Sequence, residues 1–305
     1  MNEQTGLMIN GLINVRKEAD YTSHDVVARL RGILRQKKIG HTGTLDPAAT
    51  GVLPVCLGKA TKVCSLIEDW VKGYETVLLL GVETDTEDMT GKIVSEQKVE
   101  VGDREIREII AGFIGDYAQI PPMYSAKKVK GRKLYEIARE GITIEREPAS
   151  VQIFSIEITE VCLPRVRMRV SCSKGTYIRS LCRDIGRAAG CGGCMESLVR
   201  FRVGRFGLED ALTLSEIEKA SEEGRVEEIL IPTDRVFDRM PAVTVKEKAE
   251  KLLYNGNPFP AADAEPAAVT DESVRVYDRT GRFIGIYRPD EKNNRRILRP
   301  VRLFL

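Results

Sequence analysis

Apolar and polar positions divide the chain into short alternating runs and helical stripes. An apolar stretch beginning at Gly6 ends in Leu12-Ile13-Asn14-Val15 and predicts a strand entering the core. Thr22-Ser23-His24-Asp25 has capping-box spacing. Val26, Val27, Leu30, Ile33 and Leu34 then follow at i, i+1, i+4, i+7 and i+8, the spacing of a helix with one buried face. That helix is expected to end in Lys37 and Lys38, where cations suit a helix C-terminus. Residues 60–71, with Val63, Leu66, Ile67 and Trp70, predict a second helix broken by Lys72-Gly73. Residues 74–81 are the strongest β-run, followed by an acidic, Thr-rich turn and a short strand near Ile93-Val94.

The second half alternates more clearly. Residues 104–113 read as helix, and Leu134, Ile137 and Ala138 give a further helix its core face, closed by Gly141. Residues 151–159 and 166–170 alternate with period two and predict half-buried strands that pair with each other. Residues 172–186 pass from strand into a helix with Ile178, Leu181, Cys182 and Ile185 on one face. Arg179 lies in the first turn of that helix, where the macrodipole disfavours a cation, so a partner must offset it. An amphipathic helix starts at Thr213-Leu-Ser-Glu-Ile-Glu. From about Met240 the texture is that of a small β domain, with two alternating runs in 274–287 around a Gly-containing turn. The expected division is a larger domain over 1–238 and a small one over 239–305, with no internal repeat.

Composition narrows the class. A chain of 305 residues, 42% hydrophobic and 30% charged, has the make-up of a folded globular protein. No apolar run nears the roughly 20 residues that span a bilayer. The first residues lack the basic region and apolar core of a secretory signal. No membrane association and a cytoplasmic location are the expectations. Net charge is only +2. Basic residues cluster, however, at Arg35, Lys37 and Lys38, at Lys127, Lys128, Lys130, Arg132 and Lys133, and at Arg295, Arg296, Arg299 and Arg302. Acid concentrates elsewhere, as in 83–88, so one positive face could meet a phosphate backbone; each cluster also reads as an ordinary solvated face. Seven cysteines and no signal suggest reduced, mostly buried thiols. Cys191-Gly-Gly-Cys194 lacks a second Cys-x-x-Cys, and the chain has only His24 and His41, so a structural role is favoured over zinc.

Candidate chemistry lies in Gly40-His41-Thr42-Gly43-Thr44-Leu45-Asp46-Pro47-Ala48-Ala49-Thr50-Gly51-Val52-Leu53-Pro54-Val55-Cys56-Leu57-Gly58. The segment is too apolar and too rich in Gly and Pro for a solvated loop. Asp46, before Pro47, sits on stiffened backbone; the dipeptide alone reads as a turn opening. A lone charge in apolar surroundings is costly unless paired or used.

The whole string resembles the catalytic segment of the TruB family of tRNA pseudouridine synthases, in which its aspartate is catalytic. The resemblance extends through Lys72-Gly-Tyr74, Pro121-Pro-Met-Tyr124-Ser-Ala-Lys127-Lys and Lys174-Gly-Thr-Tyr177-Ile-Arg179. It spans roughly 12–207 and weakens beyond. It implies an α+β catalytic domain on a mixed, largely antiparallel sheet, with a small C-terminal PUA-like β domain that binds RNA. It also implies conversion of uridine 55 in the tRNA T-loop to pseudouridine, with base flipping, no cofactor or metal, and no obligatory protein partner.

Residue by residue, the resemblance makes Asp46 the catalytic carboxylate, pairs Arg179 with it, and turns Tyr74 towards the site. Unaided, Tyr74 reads as a boundary aromatic and Arg179 as solvent-bound. His41, as a lone histidine a loop residue, is placed by the motif to fill the space a flipped base leaves. Thr44, Lys17, Tyr124, Lys127, Lys174 and Tyr177 complete the expected contacts to the T-arm. Lys17 belongs to Lys17-Glu18-Ala19-Asp20-Tyr21, which lacks the proline and glycine of the family's Lys-Pro-x-Gly. Two other readings remain open: a synthase subunit dependent on guide-RNA proteins, and a non-catalytic RNA-binding protein.

Overall fold

The strand that holds the main sheet together is one the apolar pattern did not announce. The computed structural model describes residues 8–67, 70–129, 131–267, 271–292 and 294–305. Within them the main sheet runs Gly11–Lys17, Thr50–Leu57, Gly193–Val203, Lys72–Leu80, Arg165–Cys172, Ala149–Cys162, Gly115–Gln119. Ile39–His41 and Phe206–Gly207 pair alongside, making nine strands. Each pairing is antiparallel except Gly193–Val203 beside Thr50–Leu57. The expected mixed, largely antiparallel sheet therefore forms. Ala149–Cys162 and Arg165–Cys172 pair as their alternation requires.

The sequence reading passed over Gly193–Val203 because its first residues are all buried and show no alternation. Its parallel contact covers only Val199↔Thr50 and Arg200↔Gly51. Gly51 makes that contact possible. Its φ is +111°, and a Cβ there would lie 2.2 Å from the Arg200 carbonyl oxygen.

Thr22 caps the helix Ser23–Ile33, with the reciprocal Thr22–Asp25 hydrogen bonds of a capping box. The helix stops at Ile33, before Lys37 and Lys38; Arg35 follows at φ +49° and turns the chain away. The second expected helix is also different. Gly58–Val63 is a 3-10 segment, Cys64–Ile67 is α-helical, residues 68 and 69 lie outside the described residues, and Lys72 already begins a strand. Val63 and Ile67 are buried, so the apolar spacing marked the buried side correctly while the winding is tighter.

A second, barrel-like sheet runs Phe259–Pro260, Arg295–Leu303, Phe283–Lys292, Val274–Tyr277, Ala242–Val245, Ala264–Glu265. The expected hairpin is present, its turn organised by Asp278, whose carboxylate accepts from Thr280 and Arg282 backbone N–H groups. The helix Glu247–Tyr254 was not expected. This sheet has its own core around Leu253, Phe259, Tyr287 and Leu298, yet Ile286 and Phe304 pack with Leu12, Val52 and Phe237. Among the described residues no helix is long and apolar enough to cross a membrane.

Candidate active site

Asp46 opens a β-turn in which the Ala49 N–H donates to the Asp46 carbonyl at 3.1 Å, with Pro47 supplying the fixed φ. The turn is anchored on several sides. Ser23, inside the first turn of its helix, accepts from the Leu45 N–H at 2.9 Å. Lys17 is fully buried, and its ammonium donates to the carbonyls of Ala49 (2.6 Å), Pro47 (2.9 Å) and Glu18 (3.0 Å). Lys17 was expected to contact substrate; instead its donors are spent on loop carbonyls. Burial lowers its pKa to about 8, against the pull of the Asp46 charge.

Arg179 reaches Asp46 from the helix Ile178–Ala188. Its Nε lies 3.0 Å from Oδ2 and its Nη2 3.1 Å from Oδ1, a bidentate pair. The remaining donors go to the carbonyls of Thr86 (3.0 Å) and Tyr124 (2.8 Å), and Asp88 lies 3.7 Å from Nη1. These anionic and carbonyl partners offset the unfavourable helix end. The guanidinium side chain is 5% exposed, whereas Asp46 leaves 35% of its own open. Desolvation raises the Asp46 carboxyl above the usual carboxylate range; Arg179 opposes that shift and Asp88 adds to it.

The acidic run thought to lie away from the basic residues is in fact wired to this helix. Arg179, Arg183 and Arg187, four residues apart, meet Asp88, Glu87 and Glu83 respectively. Glu87 also accepts from Ser180 at 2.6 Å. Arginines at i, i+4 and i+8 were the available signal for this ladder. The C-terminal arginines contribute less free charge than expected, because Arg296 pairs with Asp271 and Arg299 with Asp290.

Asp46 and Arg179 line a cleft of about 590 Å³ together with Tyr74, Lys72 and Arg200. Thr44, Lys127, Lys174 and Tyr177 line it too. Tyr177 is the helix N-cap and exchanges two hydrogen bonds with buried Gln119. Tyr124 contributes its carbonyl rather than its ring, which packs beside Met123 and Leu134. His41 stands next to the cleft without lining it. Its Nδ1 accepts from the Gly43 N–H at 3.3 Å, its ring meets His24 edge-on, and burial lowers its pKa. Lys130 lies outside the described residues.

Arg200 and Lys72 were missed because an apolar pattern assigns cations to the surface. Both are buried. Arg200 donates from Nε to the Val52 carbonyl (2.8 Å), from Nη2 to Gly43 (3.2 Å) and from Nη1 to Thr44 (3.4 Å). Tyr74 is its cross-strand partner, and burial raises the phenol pKa against the influence of Arg200. Among the described residues no group of His, Cys, Asp and Glu is arranged to hold a metal ion. Cys191 and Cys194 are free buried thiols.

Residues 31–178 match the N-terminal domain of TruB family pseudouridylate synthases, and residues 179–238 match the tRNA pseudouridylate synthase B C-terminal domain. tRNA pseudouridine synthase B of Lachnoclostridium phytofermentans is 52% identical over 309 residues, covering 97% of this chain and 100% of that protein. The enzyme of the same name from Bacillus pumilus is 41% identical over 305 residues, covering 97% and 98%. Among solved structures, a chain of a Cbf5-Nop10-Gar1 complex aligns with a TM-score of 0.73 at 26% identity, over 97% of this chain and 85% of that one. An H/ACA RNP bound to a substrate RNA containing 2'-deoxyuridine gives 0.71 at 25% identity, with the same coverage. Likeness along nearly the full length of both chains, in sequence and in fold, means that this chain belongs to the TruB family of tRNA pseudouridine synthases.

Proposed function

We propose that this protein isomerises uridine 55 of the tRNA T-loop to pseudouridine, with Asp46 as the catalytic carboxylate and the target base flipped into the cleft. The observation that carries the reading is the bidentate Asp46–Arg179 pair at the floor of an open cleft, a carboxylate both oriented and left accessible.

The reaction breaks the C–N glycosidic bond, turns the uracil within the site, and joins its C5 to the ribose C1′. The C5 proton is then lost and a proton returns to nitrogen, so no atoms are gained or lost overall. Asp46 serves as nucleophile or as the anion that stabilises positive charge on the sugar. Arg179 keeps it ionised despite desolvation and fixes its plane. Tyr74, which lines the cleft, stacks on the freed base in this reading and relays a proton through its hydroxyl. Lys127 and Lys174 at the cleft take backbone phosphates. Extruding the base costs a few kcal/mol, which His41 offsets by filling the vacated stack.

The test is incubation of the pure protein with an unmodified tRNA transcript, followed by carbodiimide mapping of pseudouridine. Conversion at position 55 supports the reading, and no conversion refutes it. The likeness to a chain solved with Nop10 and Gar1 favours one second reading, dependence on protein partners. Conversion of a bare transcript by the isolated chain excludes it.

A further inference from the structure

Among the described residues Arg200, like Lys17, is a buried cation with no carboxylate within ion-pair distance. Its residue exposure is 1%, and its hydrogen-bond acceptors are the main-chain carbonyls of Gly43, Thr44 and Val52. Taking a guanidinium out of water is expensive, and an apolar residue of similar volume fills a core at least as well. A requirement other than packing therefore accounts for it.

Its placement supplies that requirement. Gly43 and Thr44 lie just before Asp46, and Val52 lies in the strand Thr50–Leu57 that follows the Asp46 turn. One rigid fork thus holds both arms of the loop that carries the carboxylate. The fork is planar with divergent donors, a geometry a lysine does not reproduce. On the other side, Arg200 and Tyr74 are directly opposite residues of adjacent antiparallel strands, so their side chains share a face. Both line the cleft. The Arg200 backbone is fixed in turn by its close approach to Gly51.

We infer that Arg200 is a positioning residue for the isomerisation, holding the Asp46 loop and the Tyr74 side chain in one fixed relation. The inference rests on the reading of Asp46 as the catalytic carboxylate. Arg200 acts through the loop that carries Asp46 and through Tyr74.

The experiment is single-turnover kinetics of Arg200→Lys on tRNA, beside equilibrium tRNA binding. A displacement of about 1 Å in a reacting group costs on the order of 100-fold in rate, which is the expected loss. Affinity for tRNA should stay within about threefold, because the guanidinium is buried and its donors are engaged by loop carbonyls. A rate within about threefold of the parent, or a loss confined to affinity, overturns the inference. The same substitution is then made in a Tyr74→Phe background. If Arg200 acts through the hydroxyl, its effect there shrinks by at least about threefold; strictly additive losses overturn the coupling. Should Arg200→Lys not fold, Arg200→Gln keeps an amide donor for the loop carbonyls without a buried charge and carries the same comparison. Asp46→Asn is run in parallel. Full activity in that variant would refute the functional reading itself, an outcome distinct from any failure at Arg200.

Discussion

Arg179 grips Asp46 with two nitrogens, Nε on Oδ2 at 3.0 Å and Nη2 on Oδ1 at 3.1 Å. Two contacts fix the plane of the carboxylate as well as its position. Arg179→Lys keeps the charge and loses the fork. It also abandons the carbonyls of Thr86 and Tyr124. The rate of pseudouridine formation should fall about 100-fold through misplacement of the carboxylate. Stability should drop by roughly 2–3 kcal/mol, somewhat less than for complete removal of a partner from a buried pair. Single-turnover kinetics and thermal unfolding of the same preparation check both numbers.

Asp46→Asn preserves shape and removes the charge. The isomerisation should slow by roughly 10⁴-fold or more, as on loss of other essential nucleophiles. That corresponds to at least about 5–6 kcal/mol of transition-state stabilisation. Binding of tRNA should change far less. The effect on stability combines two opposed parts, relief of a desolvated carboxylate and loss of the Arg179 partner, so unfolding is measured beside the kinetics. A folded variant within tenfold of the parent rate would remove Asp46 from the mechanism.

Activity should depend on pH through Asp46 and stability through Lys17. Desolvation lifts the folded-state carboxyl above its ordinary value of 3.8, so the acid limb of the rate profile should lie above that pH. Lys17 shifts the other way, from 10.5 to about 8. Between those values the unfolded chain binds the proton more tightly, so stability relative to Lys17→Met should rise as pH increases from about 8 to 10.5. The rise should amount to roughly 3 kcal/mol across that window. Denaturant unfolding of both proteins at several pH values measures it; a flat difference contradicts the assignment.

His41→Ala should slow base extrusion more than chemistry. The loss should be several-fold greater on a structured T-loop than on one weakened by a mismatch, because unstacking a pre-exposed base costs less. Equal losses would give His41 another role.

Removing residues 239–305 should weaken tRNA binding while leaving single-turnover rate at saturating tRNA largely intact. The truncated protein should also melt lower, because Ile286 and Phe304 no longer cover Leu12, Val52 and Phe237. Calorimetry and filter binding separate the two effects.

What the sequence revealed depended on how local the physics was. The Thr22 cap needs only four consecutive residues, and it forms as read. The hairpin of 149–162 and 165–172 follows from period-two alternation across a short turn. Residues 60–71 misled at their start, because period alone does not separate α-helix from the 3-10 winding of Gly58–Val63 when the same side is buried. The meeting of Asp46 and Arg179, 133 residues apart, has no local signature, and only the family motifs suggested it. Arg200 was invisible for a further reason. Its partners are main-chain carbonyls, and a carbonyl leaves no mark in the sequence of side chains.

Order of synthesis gives the position of Gly193–Val203 a meaning of its own. It is the last long strand of the main sheet to leave the ribosome, yet it lies between Thr50–Leu57 and Lys72–Leu80. Until it arrives, the earlier strands form two separate ribbons, each with an open edge ready to pair with a foreign chain. Arg200 emerges on that same strand. A nascent chain shorter than about 200 residues therefore holds neither a closed sheet nor a fixed Asp46 loop, and competence should appear abruptly rather than by stages.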